Sequence, residues 1–325
     1  MRVDSEILAL RSDPASQRRM HARMEAAKRE WRARGDVAAV LGELAGYGAG
    51  HRLERAAALG SLVNDPDCAR RFVVGLVEHM GHALHDAPLG QIPFRHQLSG
   101  GICVVQLAEA GRAALSLVTY EGAALASGGP AQSVCFSDGE LHEVCLAGSA
   151  TARMFEITRD DGTRAQICSQ ARTLEAGATL CLAGPTQARL IDRVDGRLVM
   201  LRLGRGAAEP TPSREFTLEG GALLHRASGS REESRLEMAM ALLGRMGRRD
   251  AAPQIAALAG QGGAHLRWQA VRNCLALDPA QGFLALSKLA VDADAALAAQ
   301  AGALRKQLCT TYPVLAGMEA DACPA

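Results

Sequence analysis

The nine cysteines of this 325-residue chain include no C-x-x-C pair, and no apolar run approaches the length of a membrane span. Each absence removes a class of protein. A disulfide framework needs an even set of thiols, and a zinc knuckle needs closely spaced ones. Cys68, Cys103, Cys135, Cys145, Cys168, Cys181, Cys274, Cys309 and Cys323 mostly sit in apolar runs such as GICVVQLA and TLCLAG. There a free thiol acts as a small hydrophobe, which predicts a reducing cytoplasm. A helical span needs about 20 consecutive apolar residues, so no membrane association is expected. The opening MRVDSEILALRSDPAS lacks the charged-then-apolar order of a signal peptide. Net charge is nearly absent too: 36 Lys+Arg stand against 35 Asp+Glu. That balance gives no whole-molecule attraction to nucleic acid or acidic lipid. The pairs Gly128-Gly129 and Gly220-Gly221 lie in no G-x-G-x-x-G or Walker pattern, so nucleotide binding has no support.

What remains is 48% apolar residues, enough for a folded chain of about two or three domains. The texture predicts an α+β, multidomain protein. Residues 1–87 read as a helical N-terminal region. Asp13-Pro14 opens a helix, and QRRMHARMEAAKREWRAR continues it without Gly or Pro. Arg18, Arg19, Arg23, Lys28, Arg29, Arg32 and Arg34 make this helix basic, with Met20, Met24 and Trp31 as its packing side. A second helix is predicted over Asp36–Ala45 and a third over His51–Val63. A fourth starts at Asn64-Asp65-Pro66, with Phe72, Leu76, Met80 and Leu84 on one face.

Residues 88–228 change to short alternating runs divided by turn residues. GICVVQLA, AALSLVTY, QSVCFS, ARMFEIT, RAQICSQ, TLCLAG, ARLIDRV and RLVMLRL read as strands. Asp160-Asp161-Gly162 and Asp195-Gly196 read as hairpin turns, where Gly supplies positive φ. Glu219-Gly220-Gly221 divides REFTL from ALLHRA. So many short strands predict an all-β sandwich or small barrel.

Residues 229–310 return to the helical period in five helices, and 311–325 read as a loose tail. Asp250, Ile255 and Leu258 recur 28 residues later as Asp278, Phe283 and Leu286, and Leu266 and Ala270 recur 31 later as Leu297 and Ala301. Two helices per unit with an Asp at the joint is α-solenoid behaviour. Leu236, Leu243, Ile255, Leu258, Leu266, Trp268, Val271, Leu275, Phe283, Leu286 and Leu289 are the expected core of this block.

The phrases FSDGELHEVCLAGSATARMFEI, RTLEAGATLCLAGPTQARLI and RLVMLRLGR resemble the cupin superfamily, a β jelly roll. Gly148 fits the first motif glycine, and Gly177 and Gly184 fit the later pair. Metal-binding cupins carry H-x-H and a carboxylate before that first glycine, and a further histidine after the later one. Here only His142 and Glu143 occur, neighbours that point to opposite faces of a strand. The later segment is Gly184-Pro185-Thr186-Gln187-Ala188, with no histidine. The resemblance therefore implies a cupin-like sandwich without the family's usual metal, and no cofactor. RLEMAMALLGRMGRRDAAPQIAALA and HLRWQAVRNCLALDPAQGFLALSKLAVDADAALAAQA resemble HEAT-type repeats, which implies a protein-docking surface.

Three clusters carry chemistry. His79, His82 and His85 share a predicted helix, but steps of three spread the outer pair by about 120°, so all three cannot chelate one ion. If a metal is held at all, His79, His82 and His96 are the set. His142, Glu143 and Cys145 are the parts of a cysteine nucleophile, yet His142 and Cys145 fall on opposite strand faces. His142, Gln187 and His96 are the expected ligand contacts, and no catalytic residue is assigned.

The resulting expectation is a non-catalytic, cytoplasmic binding or regulatory protein. Its β-domain would take a small-molecule ligand or a partner, and its helical segments would dock a protein or a second copy. One alternative is a divergent metal-dependent cupin-type enzyme using His96, His142 and the His79–His85 helix. The other reads APQIAALAGQGGAHLRWQAVR as helix-turn-helix, which with a cupin-like domain resembles the AraC-type DNA-binding regulators. Those carry two such units and aromatic-rich recognition helices. This block is alanine-rich and joined by Asp-Pro, so nucleic acid is not the expected partner.

Overall fold

The computed structural model describes residues 14–317. Asp13, Cys323 and the last eight residues of the expected tail lie outside them. The chain divides into two compact units. The first takes the described chain up to Glu209 together with Glu215–Leu224, and the second takes Pro210–Arg214 and the described chain from His225. Among the described residues no helix is long and apolar enough to cross a membrane.

Four helices open the first unit: α1 (Pro14–Ala33), α2 (Gly35–Gly48), α3 (Ala57–Asn64) and α4 (Pro66–Asp86). Asp65 caps α4, its carboxylate accepting from the Asp67 N–H at 2.9 Å, with Pro66 at the first position. Met24 and Trp31 of α1 are fully buried, and Phe72 and Phe94 meet the Trp31 ring edge-on. The basic side chains around them are largely committed within the protein. Lys28 donates to the Pro93 carbonyl at 2.7 Å, Arg32 to the Leu107 carbonyl at 2.9 Å, and Arg23 pairs with Asp86. The third expected helix is broken. One tight turn at Leu53–Arg55 precedes α3, whose Leu59 N–H donates to the Glu43 carboxylate at 2.8 Å. The helix restarts there because a carboxylate on α2 satisfies one of its free N–H groups.

The β-region contains β1 (Arg95–Ser99), β2 (Ile102–Ala110), β3 (Ala113–Glu121), a short helix α5 (Gly122–Ser127), β4 (Ser133–Phe136), β5 (Gly139–Asp160), β6 (Ala165–Glu175), β7 (Thr179–Ala183), β8 (Gln187–Gly206), β9 (Ser213–Thr217) and β10 (Leu223–Ala227). The main sheet runs β1-β2-β3-β8-β5-β6, with β7 also on β5, and a small sheet runs β10-β9-β4. The ladders of the main sheet are antiparallel.

Alternation sorts the central strands into two faces. Leu115, Val144, Leu146, Leu201 and Leu203 join the helices in one core. Val118, Tyr120, Cys145, Leu198 and Met200 form a second core on the other face. RLVMLRL is apolar on both faces because its strand is covered on both.

The expected strand ARMFEIT is the second half of a longer β5 that starts at Gly139. One expected strand pair is in fact continuous: ARLIDRV and RLVMLRL form the single β8. Asp195-Gly196 is therefore not a hairpin. Gly196 does adopt φ +70°, and the β5–β8 register jumps from Ala147↔Val199 to Ser149↔Asp195. The Asp-Gly signal for positive φ was real, and a bulge used it instead of a turn. Asp160-Asp161-Gly162 does close a hairpin: Asp161 accepts from the N–H groups of Thr163 and Arg164, and Gly162 has φ +88°.

Gly148 sits opposite the Gly196 bulge with φ +86°, and a Cβ there would lie 2.0 Å from the Arg197 carbonyl oxygen. A side chain meets both a strained backbone and a solid obstacle. Gly148→Ala is expected to destabilise this unit by at least about 1–3 kcal/mol from the backbone alone. Urea unfolding followed by Trp31 fluorescence in a Trp268→Phe background checks this; an unchanged midpoint would mean that the bulge relaxes freely.

The second unit holds α6 (Arg231–Arg245), α7 (Ala252–Leu258), α8 (Ala264–Leu277), α9 (Pro279–Leu289), α10 (Ala295–Thr311) and the one-turn α11 (Val314–Gly317). Asp278 caps α9 and Asp294 caps α10 through two backbone N–H groups each. The recurring positions have recurring burial. Ile255 and Phe283 are both buried, as are Leu266 with Leu297 and Ala270 with Ala301. Most of the expected core is found, with Leu243, Leu258, Trp268 and Leu275 partly buried against it. Leu236 is the exception, 38% exposed, and Met240 one turn later takes the buried place. The early turns of α6 turn polar groups inward instead: Glu233 accepts from the Gly263 N–H at 2.7 Å, and Glu237 lies 3.4 Å from His265.

Candidate functional site

The inner face of the β-domain carries charge where apolar side chains are the rule. Glu143 on β5 is completely buried. Two guanidinium groups of β8 grip it: Arg189 donates from Nε at 2.5 Å and Nη2 at 2.6 Å, and Arg202 from Nε at 2.8 Å. Both Nη2 groups also donate to the Tyr120 hydroxyl on β3, at 2.9 and 3.0 Å. The strands bring these residues together by register, since Glu143 pairs with Arg202 in the β5–β8 ladder. Burial by itself raises the Glu143 carboxyl, but Arg189 and Arg202 outweigh it and hold the group below the usual carboxylate range.

Two guanidinium charges against one carboxylate leave one positive charge in this cluster. Nη1 of neither arginine has a hydrogen-bond partner among the described residues. Among the described residues the buried side-chain atoms without a partner are Trp31 Nε1, Glu237 Oε1 and His265 Nε2, so neither Nη1 is sealed from water. Arg202, with its side chain 27% exposed, is the open edge of the cluster. The cluster presents planar, fixed donors with a surplus positive charge.

His142 lies on the opposite face of β5, half-buried. Its neighbour Glu140 accepts from the Tyr47 hydroxyl at 2.8 Å and from Arg205 at 2.6 Å, and the Arg205 guanidinium stacks over the Tyr47 ring at 4.0 Å. Burial lowers the His142 pKa, partly opposed by Glu140. Burial also works to raise Glu140, but the hydrogen bonds from Arg205 and Tyr47 bring it below the ordinary value. Cys181 faces His142 across the β5–β7 ladder, whereas Cys145 belongs to the inner core. Burial and Glu140 both raise the Cys181 thiol, which keeps it protonated near neutrality.

The other expected residues are dispersed. The Gln187 side-chain oxygen accepts from the Ala183 N–H at 3.1 Å and closes the β7–β8 turn. His96 is exposed on β1, its Nδ1 3.1 Å from the Phe94 carbonyl. His79 Nδ1 lies 2.7 Å from the Gly75 carbonyl, which can only accept, so this nitrogen carries the proton. His79 and His82 line a groove of about 580 Å³ with Arg23, Glu30, Glu78 and Asp86. Among the described residues no three His, Cys, Asp or Glu side chains converge as metal ligands.

The sequence marks Glu143 as a candidate but does not name Arg189, Arg202 or Tyr120 as its partners. The missed signal is a lone Arg in the apolar run LVMLRL, matched by a lone Glu in HEVCLA. Charges inside strands buried on both faces must find each other.

No family model matches the sequence, and no curated protein matches it. Among solved structures the chain is similar to a cupin superfamily protein from Desulfitobacterium hafniense, at 17% identity and TM-score 0.23, covering 34% of this chain and 83% of that one. It is similar to KdgF from Halomonas sp., at 14% identity and TM-score 0.25, covering 35% and 88%. The cupin domain of Drosophila melanogaster CENP-C is a third, at 11% identity and TM-score 0.26, covering 34% and 74%. Nothing about activity follows from likenesses at this level. The chain is of mixed α and β class: helices, then a central antiparallel sheet domain, then helices.

Proposed function

We propose that this chain is a non-catalytic cytoplasmic binding protein, whose β-domain takes a small anionic ligand and whose C-terminal helices, a HEAT-like array, dock a protein. The observation that carries the reading is the surplus positive charge of Arg189 and Arg202 around the buried Glu143, with both Nη1 groups unengaged. A carboxylate or phosphate group fits those donors, and the Tyr120 hydroxyl, which accepts from both arginines, keeps its own proton to donate.

The divergent metal-enzyme alternative fits these residues poorly. A cation beside Glu143 would meet two guanidinium groups that already claim both carboxylate oxygens. The helix-turn-helix alternative needs an open recognition helix. Along α8 only Ala264, Arg272 and Ala276 are exposed, and Arg267 is spent on Asp292 and the Ala259 carbonyl.

Calorimetric titration of the full chain with succinate, glucuronate and inorganic phosphate tests the reading. Saturable binding by at least one of them, lost in a folded Arg202→Gln protein, is the expected result. No binding at millimolar concentration, together with tight binding of a divalent metal ion, would overturn it in favour of the enzyme.

A further inference from the structure

The helix α6 is amphipathic in an unusual sense: its outer face is apolar too. Met240 points inward at 1% exposure, and Glu233 and Glu237 are held against Gly263 and His265. Outward, Met238, Leu242 and Met246 are 65%, 58% and 58% exposed. Steps of four put the three on one stripe, about 12 Å long at 1.5 Å per residue. Single exposed apolar residues are ordinary, but an aligned row of three large ones marks a contact surface. Two of the three are methionines, whose unbranched side chains adapt to different partner shapes.

Charge decides what fits there. Arg235 precedes the stripe and Arg245 lies at its far end, both exposed. At 100° per residue, the carboxylates of Glu233 and Glu237 fall on the other side of the helix, and no Asp or Glu lies on the outward stripe. A second copy of α6 laid against the first would bring arginines to arginines. An anionic membrane would satisfy the arginines, yet three apolar side chains on a helix whose other face is packed offer little to insert. A partner helix with a short apolar stripe and glutamates or aspartates at both ends satisfies both features.

We infer that the outer face of α6 docks an acidic amphipathic helix from another protein. This rests on the docking role proposed above for the C-terminal helices, and it names the face and the chemistry of the partner.

Fluorescence anisotropy on the full chain tests it, using a synthetic 20-residue amphipathic helix with a leucine stripe flanked by glutamates. The control peptide has lysine at each glutamate. Saturable binding of the acidic peptide alone is expected, weakened at least tenfold in Leu242→Glu. Arg245→Glu keeps the apolar stripe and should weaken binding severalfold while flattening its salt dependence. Both substitutions are exposed, and circular dichroism verifies that folding is intact. If the acidic peptide binds and Leu242→Glu changes nothing, the array docks protein by another face and only this inference falls. If neither peptide binds the unaltered chain, the docking role falls with it. Self-association abolished by Leu242→Glu would reassign the face to a second copy, and cosedimentation with phosphatidylserine vesicles would reassign it to a membrane. Either result overturns the proposal.

Discussion

Glu143→Ala is expected to destabilise the first unit by about 3–5 kcal/mol, because it strands two partly or wholly buried guanidinium groups. The partner lost is completely buried and accepts from three arginine nitrogens. Trp31, itself fully buried in this unit, reports its unfolding once the only other tryptophan is changed by Trp268→Phe. A loss under about 1 kcal/mol would mean that water already solvates the arginines and that Glu143 neutralises little. The pH dependence has a definite sign. The folded carboxyl sits below its unfolded value. Its contribution is therefore complete above the unfolded pKa of about 4.3 and drains away as pH falls through the folded value. Glu143→Gln should flatten that acid limb, since the neutral amide has no proton to take up there.

Phe283→Ala is expected to cost the second unit about 3–5 kcal/mol. Its ring is fully buried in the core that joins α7, α8, α9 and α10. Truncation leaves a cavity that the surrounding helices cannot close, because Gly282 already brings α9 against the α8 backbone, 2.4 Å from the Leu275 nitrogen for an added Cβ. Native-state hydrogen exchange of the Cys274 and Leu277 amides reads the loss within this unit. Protection reduced by less than tenfold would show that the core is looser than its burial implies.

Much of the architecture was readable as pattern. The α1 and α4 helices, the Asp65-Pro66 start of α4 and the Met24–Trp31 side follow from local periodicity and capping, which act within a few residues. The recurrence of Ile255 and Leu266 as Phe283 and Leu297 likewise appears in one dimension before it appears in three. Reading failed where one local signal has two outcomes. Asp195-Gly196 announces positive φ, and hairpin or bulge depends on what the opposite strand does at Gly148. Leu236 follows the helical period, yet the inward place at that level belongs to Glu233 and Glu237.

The candidate site shows the same division. Composition and spacing by themselves determined that β5 offers one histidine and one carboxylate on opposite faces, because a strand alternates regardless of its neighbours. They also determined that no H-x-H motif stands before Gly148. Only the tertiary structure decided what Glu143 faces. Tyr120, Arg189 and Arg202 lie 23, 46 and 59 residues away in sequence. Sheet order and register carry them to one carboxylate, since the pairing of β3, β8 and β5 is fixed by the apolar faces buried on either side. A charge on a buried strand states that a counter-charge exists; which residue supplies it is settled by the sheet.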